Sequence, residues 1–256
     1  MIDQLILDFN FYHLLVVCAA FSLGGLVKGV SSFGLPTVSV PIIVLILPLP
    51  TTVSILAVPL ILSNLYQMLA AGDIKGSIQR HWSLYVALLA TLPIGVYFLA
   101  VVNTATLSVI LGIVLIAITS LELMGIPLTF LKSHQRKVAP LIGVFSGVIG
   151  GMTSLFAILP IFFFVATGLE KEKFVSAVSV MLFSGSVILA LSLQNANHLG
   201  VLEVVYGLIG MIPIMGFVWV GSQLRKRVDQ VFFRKVVLSL ILVVGISMIY
   251  RSVIGF

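Results

Sequence analysis

The strongest constraint on this fold is a succession of ten apolar stretches, with almost all basic residues confined to the short connections between them. The stretches are 12–30, 36–49, 51–71, 82–101, 105–122, 139–151, 154–168, 174–193, 201–220 and 235–250. Roughly 20 apolar residues suffice for a helix to cross a bilayer. Only 9% of the residues are charged, 60% are hydrophobic and the mean hydropathy is +1.26. Soluble domains carry about 25% charged residues, so this chain has no polar shell with which to face water. The expected fold class is all-α, a polytopic membrane protein of about 8–10 membrane segments with the lipid bilayer as its solvent.

Charge sets the expected sidedness. Lys75 and Arg80 follow the third stretch, and Lys132, Arg136 and Lys137 follow the fifth. Lys171 and Lys173 follow the seventh, and Arg225, Lys226, Arg227, Arg234 and Lys235 follow the ninth. The connections 50–51, 102–105 and 194–200 carry neither Lys nor Arg. Basic loops stay in the cytoplasm, which places both termini outside. The net charge of +6 therefore orients the chain; no basic–aromatic stripe of the kind that holds nucleic acid is present. The N-terminal octad, with Asp3 and Asp8, lacks the basic region of a cleaved signal peptide, so the first stretch is expected to remain as an anchor. Cys18 is the sole cysteine, which excludes an intrachain disulfide or a cysteine metal site.

Two apolar runs are interrupted by glycine-rich breaks. The first runs from Gly24-Gly25 through Lys28, Gly29, Ser31, Ser32 and Gly34 to Pro36. The second, about 118 residues later, runs from Gly143 through Gly147, Gly150 and Gly151 to Thr153 and Ser154. Hydrocarbon offers no partner to freed backbone amides, so a break at membrane depth survives only inside protein or beside an aqueous cavity. Paired interrupted helices in corresponding positions are the best sequence pointer to a transporter's binding site. Each break could join two short spans or form one re-entrant hairpin. Each half holds about five stretches, an odd number, so the second half is expected to run inverted relative to the first. The division is a first membrane repeat over 1–122, a cytoplasmic linker over 123–138 and a second membrane repeat over 139–256.

Exposed N–H groups and the positive end of the helix dipole favour an anion at such a break. Two inverted, facing ends would cradle a small oxyanion largely with backbone donors. Candidate contacts are Gly34, Gly150, Gly151 and the hydroxyls of Ser31, Ser32, Thr153 and Ser154. Lys28 would serve as counter-ion, or snorkel to the interface. Asn64 and Gln67, one turn apart on the third stretch, would touch substrate or bridge helices. The GxxxG pairs Gly25/Gly29 and Gly143/Gly147 also fit ordinary helix packing. If the cycle is coupled to protons, Glu203 and His198 are weak candidates to carry them. His13, His81, His134 and His198 are scattered, with no His-Glu-x-x-His spacing and no Walker loop in the chain. Neither an enzyme, a metal site nor a cofactor is expected.

The pattern of Gly25-x-x-x-Gly29, a small-residue break and Pro41, repeated as Gly143-x-x-x-Gly147, Gly150-Gly151 and Pro160, resembles the sulfite exporter TauE/SafE family. The resemblance covers nearly the whole chain, and Gly29, Gly34, Pro36, Gly147, Gly150 and Gly151 are the matching positions. It implies a multi-pass permease of the bacterial inner membrane for small sulfur-containing anions such as sulfite or sulfoacetate. Ser31-Ser32-Phe33-Gly34 departs from the denser glycine cluster usual in the family, which leaves the particular anion open. The expected function is a secondary transporter working by alternating access. An anion channel, or a non-transporting membrane subunit or intramembrane enzyme, is the alternative. A coupling proton or sodium ion and a homo-oligomeric state stay open.

Overall fold

The computed structural model describes residues 11–31, 33–124, 134–224 and, toward the C-terminus, Leu238, Ser239, Leu242, Val243, Gly245, Ile246, Ile249 and Tyr250. The described residues form nine helices: α1 (Phe11–Ser31), α2 (Leu35–Ile43), α3 (Leu49–Ala71), α4 (Ile74–Val101), α5 (Thr104–Met124), α6 (Gln135–Thr153), α7 (Ile158–Ala166), α8 (Lys171–Asn195) and α9 (Val201–Leu224). The chain is all-α among these residues. Helix is the natural answer in lipid, because each backbone amide finds its partner within its own segment. Side-chain hydroxyls follow the same rule. Ser22, Thr91, Ser179, Ser184 and Ser192 each donate to the carbonyl four residues earlier, at 2.7–2.8 Å.

Five helices are long and apolar enough to cross a membrane: α1, α3, α4, residues Glu172–Asn195 of α8, and α9. Ala105–Ala117 of α5 is a shorter apolar stretch. The expectation of 8–10 segments thus narrows to five helices of spanning length among the described residues. The second member of each interrupted pair explains much of the difference. Helices α2 and α7 have nine residues each and rise only about 14 Å, less than half of a hydrocarbon core of roughly 30 Å. Their partners α1 and α6 are about twice as long, at 21 and 19 residues. Each pair is therefore one long helix and one half-length helix, not two short spans. Outward-facing side chains suit lipid: Tyr66, Trp82, Tyr97, Ile212 and Trp219 are all exposed.

Two compact units are present, and both draw on the two halves of the sequence. The first holds residues 1–55, 104–123 and 201–256; the second holds 56–103 and 124–200. In the first unit α1 packs on α9. A Cβ at Gly25 would lie 2.8 Å from the Ile214 carbonyl oxygen, and one at Gly29 would run into Val218 and Gly221. In the second unit α6 packs on α4. A Cβ at Gly143, Gly147 or Gly151 would run into the carbonyl oxygens of Leu84, Leu88 and Leu92 respectively. Both contacts advance in the same direction along the two chains, so both pairs are parallel. Small residues let backbones approach closely in lipid, where no hydrophobic drive presses helices together.

Basic residues gather at one end of the second unit. The stretch expected as a loop before residue 82 is helical instead, and α4 bends at His81, whose φ of −120° and ψ of 17° are not helical. Residues 74–80 form a short segment ahead of the span. Ser176 Oγ donates to the carbonyls of Gly72 and Asp73, 3.0 Å each, so the starts of α4 and α8 meet. Asp73 pairs with Arg80, whose hydrogen bond holds the carboxyl below the usual carboxylate range. Glu170 pairs with Lys173 at 2.8 Å, with the same effect on its carboxyl.

The α4–α6 seam is testable. Gly147→Leu should force the helices apart, since its Cβ alone already meets Thr91 Oγ1 and the Leu88 carbonyl. Overpacking of this kind costs about 1–3 kcal/mol or more, so a lower unfolding temperature in detergent is expected; an unchanged one would show that the seam tolerates bulk.

Candidate functional site

The first unit contains the first break. Helix α1 ends at Ser31, and Gly34 at φ 98° and ψ 6° turns the chain into α2. That left-handed conformation is open to glycine without penalty. Pro36 sits in the first turn of α2, where its missing N–H is not needed. Helix α2 folds back along α1: Ser39 Oγ donates to the Ala20 carbonyl at 3.0 Å, and Gly24 leaves room for Ser39 and the Leu35 carbonyl. No side chain caps the N-terminus of α2. Ser31 Oγ lies 2.8 Å from the Val27 carbonyl and 2.6 Å from that of Phe33. Its single hydrogen is spent on the helix end. Ser32 lies outside the described residues. Lys28, one turn before Ser31, is only 6% exposed. A snorkelling lysine keeps its ammonium in water, so this burial favours the interior reading of Lys28.

A second break of the same construction lies in the second unit. Helix α6 ends at Thr153, Ser154 adopts φ 65° and ψ 4°, and α7 starts at Ile158 behind Ala157 with no side-chain cap. Thr153 Oγ1 donates to the Ile149 carbonyl at 2.7 Å and accepts from the Leu155 amide at 3.2 Å. Its hydrogen too is committed to the backbone. Ser154 Oγ is the contrast: it is buried, with no hydrogen-bond partner among the described residues. A left-handed φ at a non-glycine residue is a strained conformation that tends to cluster at functional sites. The Ser154 amide bonds the Gly150 carbonyl at 2.7 Å, closing the helix end.

Phe156 holds this break in shape. A Cβ at Gly150 would collide with the Phe156 backbone and Cβ, and one at Gly185 on α8 would meet the Phe156 ring at 2.6 Å. The residue is thus wedged between two glycines and is 1% exposed. Gly150 makes room for the turn itself, while Gly151 faces α4 at Leu92 and Gly95. Asn64 is buried and its Nδ2 donates to the Leu182 carbonyl of α8 at 3.2 Å, which ties α3 to α8. Gln67 is half-buried further along the same helix. Glu203 is buried in the first turn of α9, and His198 is half-buried in the turn before it.

Sequence reasoning passed over Ser146. Ser146 Oγ is buried and without a hydrogen-bond partner among the described residues. The signal was its spacing, since 146, 150 and 154 recur every four residues along one helical stripe. Phe156 carried no signal beyond its place in the break, because its partner Gly185 is distant in the chain. Chemically, each break offers a half-length helix whose first-turn amides have no acceptor within the helix and no side-chain cap. Such an end takes an anion. Among the described residues no group of three His, Cys, Asp or Glu side chains could hold a metal ion.

A family model, sulfite exporter TauE/SafE, matches residues 17–248. No curated protein and no solved structure matches the chain.

The two hydroxyls of the second break should separate in a stability measurement. Thr153→Ala removes a capping contact and should lower stability by about 1 kcal/mol. Ser154→Ala removes a buried, unpartnered hydroxyl, whose burial alone costs about 1–3 kcal/mol, and should leave the unfolding temperature in detergent equal or higher. A loss of stability at Ser154→Ala as large as at Thr153→Ala would mean that Ser154 is structural.

Proposed function

The chain belongs to the sulfite exporter TauE/SafE family, and on that premise we propose that it is a secondary transporter of a small anion. Members of this family are transporters and not enzymes, and the protein is a multi-pass membrane protein. The proposed substrate is a sulfur-containing oxyanion or organosulfonate such as sulfite or sulfoacetate, and the mode is alternating access in the bacterial inner membrane. The observation that carries this reading is the pair of uncapped, nine-residue helices α2 and α7, each opening at a break inside an apolar run. Anion oxygens would be held by first-turn amides at such a break, with Ser154 as the side-chain donor at the break of the second unit. Lys28 is a buried basic residue of the first unit. The hydroxyls of Ser31 and Thr153 shape the breaks and do not donate to substrate.

An inverted pair of repeats, 1–122 and 139–256 about the linker 123–138, fits the element lengths. The first half runs 21, 9, 23 and 28 residues through α1–α4; the second runs 19, 9, 25 and 24 through α6–α9. The pairing is reciprocal, the first helix of each half lying against the fourth helix of the other. The parallel α4–α6 pair and the meeting of α4 with α8 put Lys75, Arg80, Arg136, Lys137 and Lys173 at the same end of the second unit, which supports a cytoplasmic assignment for that end and external termini. Rocking of one repeat against the other would then expose the anion to either side in turn.

The test is reconstitution into liposomes with sulfite, thiosulfate, sulfoacetate, taurine and sulfate under imposed proton and sodium gradients. Saturable flux of at least one anion is expected. Lys28→Gln should raise the apparent Km about tenfold, the loss of roughly 1.4 kcal/mol of charge interaction, with little change in the amount of folded protein. Flux that fails to saturate would favour a channel, and no flux of any anion would sink the transporter reading.

A further inference from the structure

No glycine or proline stands at the bend in α4 itself; the nearest glycine, Gly76, lies more than one turn before it. Pro93, the proline inside the helix, lies three turns further on, and the non-helical residue is His81 itself. Sharp kinks have identifiable causes, among them a side chain acting on the helical ladder. His81 Nε2 is shut off from solvent and has no hydrogen-bond partner among the described residues. A protonated Nε2 would be a donor needing an acceptor, so the ring in this conformation is neutral, with its Nε2 lone pair unused.

The surroundings tie this ring to α7 and its segment to the start of α8. One face meets Phe164 of α7, ring centroids 4.8 Å apart, and Tyr85 lies edge-on at 6.2 Å. Phe164 is six residues along α7 from Ile158, about 9 Å from the uncapped end. On the other side of the bend, the short segment is anchored to α8. Ser77 Oγ donates to Tyr85 Oη at 2.8 Å, which donates to the Ala177 carbonyl at 3.0 Å, and Ser176 holds Gly72 and Asp73. A change at the bend is therefore felt directly by the helix that carries the anion-binding end.

Charged groups lie along the elements packed around this bend. On α4 they are Lys75 and Arg80, with Asp73 in the preceding turn already paired to Arg80. On α8 they are Glu172 and Lys173, the latter paired to Glu170, and on α6 they are His134 at its start, Arg136 and Lys137. Helix α7 contributes no titratable side chain. No carboxylate is paired with His81 among the described residues.

We propose that His81 is the proton-binding site that couples anion movement to a proton gradient, an assignment that rests on the transporter reading above. A proton from water on one side binds Nε2 and is released to the other side, with no other bond made or broken. Protonation leaves a buried donor without an acceptor, which favours a second conformation where the bend relaxes and Nε2–H finds water. Differential affinity of two conformations for the proton is the condition for coupling.

The test uses proteoliposomes and radiolabelled sulfoacetate, whose two acid groups both stay ionised near neutral pH and so carry no proton themselves. His81→Gln should cut accumulation driven by a pH gradient about tenfold, while sulfoacetate exchange at equal pH stays within about twofold of the unmodified protein. Gradient-driven accumulation equal to the unmodified protein would overturn the assignment. Failure of exchange in both proteins would instead sink the transporter reading for this anion. A second measurement decides the proton site by itself. Trp82 adjoins His81, and in Trp219→Phe it is the sole indole of the chain. An imidazolium quenches a neighbouring indole, so Trp82 fluorescence should fall as the pH is lowered and should lose that dependence in His81→Gln; a signal that pH does not move in the unmodified histidine background overturns the assignment.

Discussion

The obligation of every backbone amide to find a partner in hydrocarbon governs this structure. Continuous helix meets that obligation without help, which is why the described residues are helical almost throughout. Against that background a break is expensive, and this chain contains two of the same construction. Each is stabilised by local means: Ser31 Oγ lies within hydrogen-bonding distance of the carbonyls of Val27 and Phe33, and Thr153 serves Ile149 and Leu155. What these hydroxyls leave unmet are the first-turn amides of α2 and α7. An uncapped helix end of this kind favours an anion.

Glycine supplies the second organising element. The stripes at Gly25/Gly29 and at Gly143/Gly147/Gly151 bring whole helices into backbone contact. In α6 one helix serves two purposes with adjacent residues. Gly151 faces α4, and Gly150 faces the turn at Phe156. Rigid packing on one side and the break on the other are thereby joined through a single peptide, so the position of the break is set by the α4–α6 seam.

Much of this was legible in the sequence. The apolar stretches located the long helices to within a few residues, the start of α4 at Ile74 excepted, because length and hydropathy are local properties. Both breaks were found where glycine, serine and proline interrupt an apolar run, for the same reason. The half-length of α2 and α7 was not legible, since an apolar run of 14 or 15 residues reads alike whether it is one helix or a turn followed by a short helix. The commitment of Ser31 and Thr153 to carbonyls was hidden as well, as residue type does not reveal where a hydroxyl hydrogen goes. His81 looked like one scattered histidine among four. Only the bend in α4, the ring contact with Phe164 and the unpartnered Nε2 distinguish it, and each of those depends on neighbours remote in the chain.

The reciprocal pairing of first and fourth helices also constrains how the protein is made. Helix α1 precedes α9 in the chain, and the groove it fills, at Gly210, Ile214, Val218 and Gly221 of α9, is synthesised roughly 190 residues later. At 5–20 residues per second that delay is on the order of ten seconds or more. Through that interval the nascent chain holds a buried-type lysine and a bare glycine face against lipid or the insertion machinery. Biogenesis of this protein is therefore a closing step, completed only when the last third of the chain arrives to cover what the first helix left open.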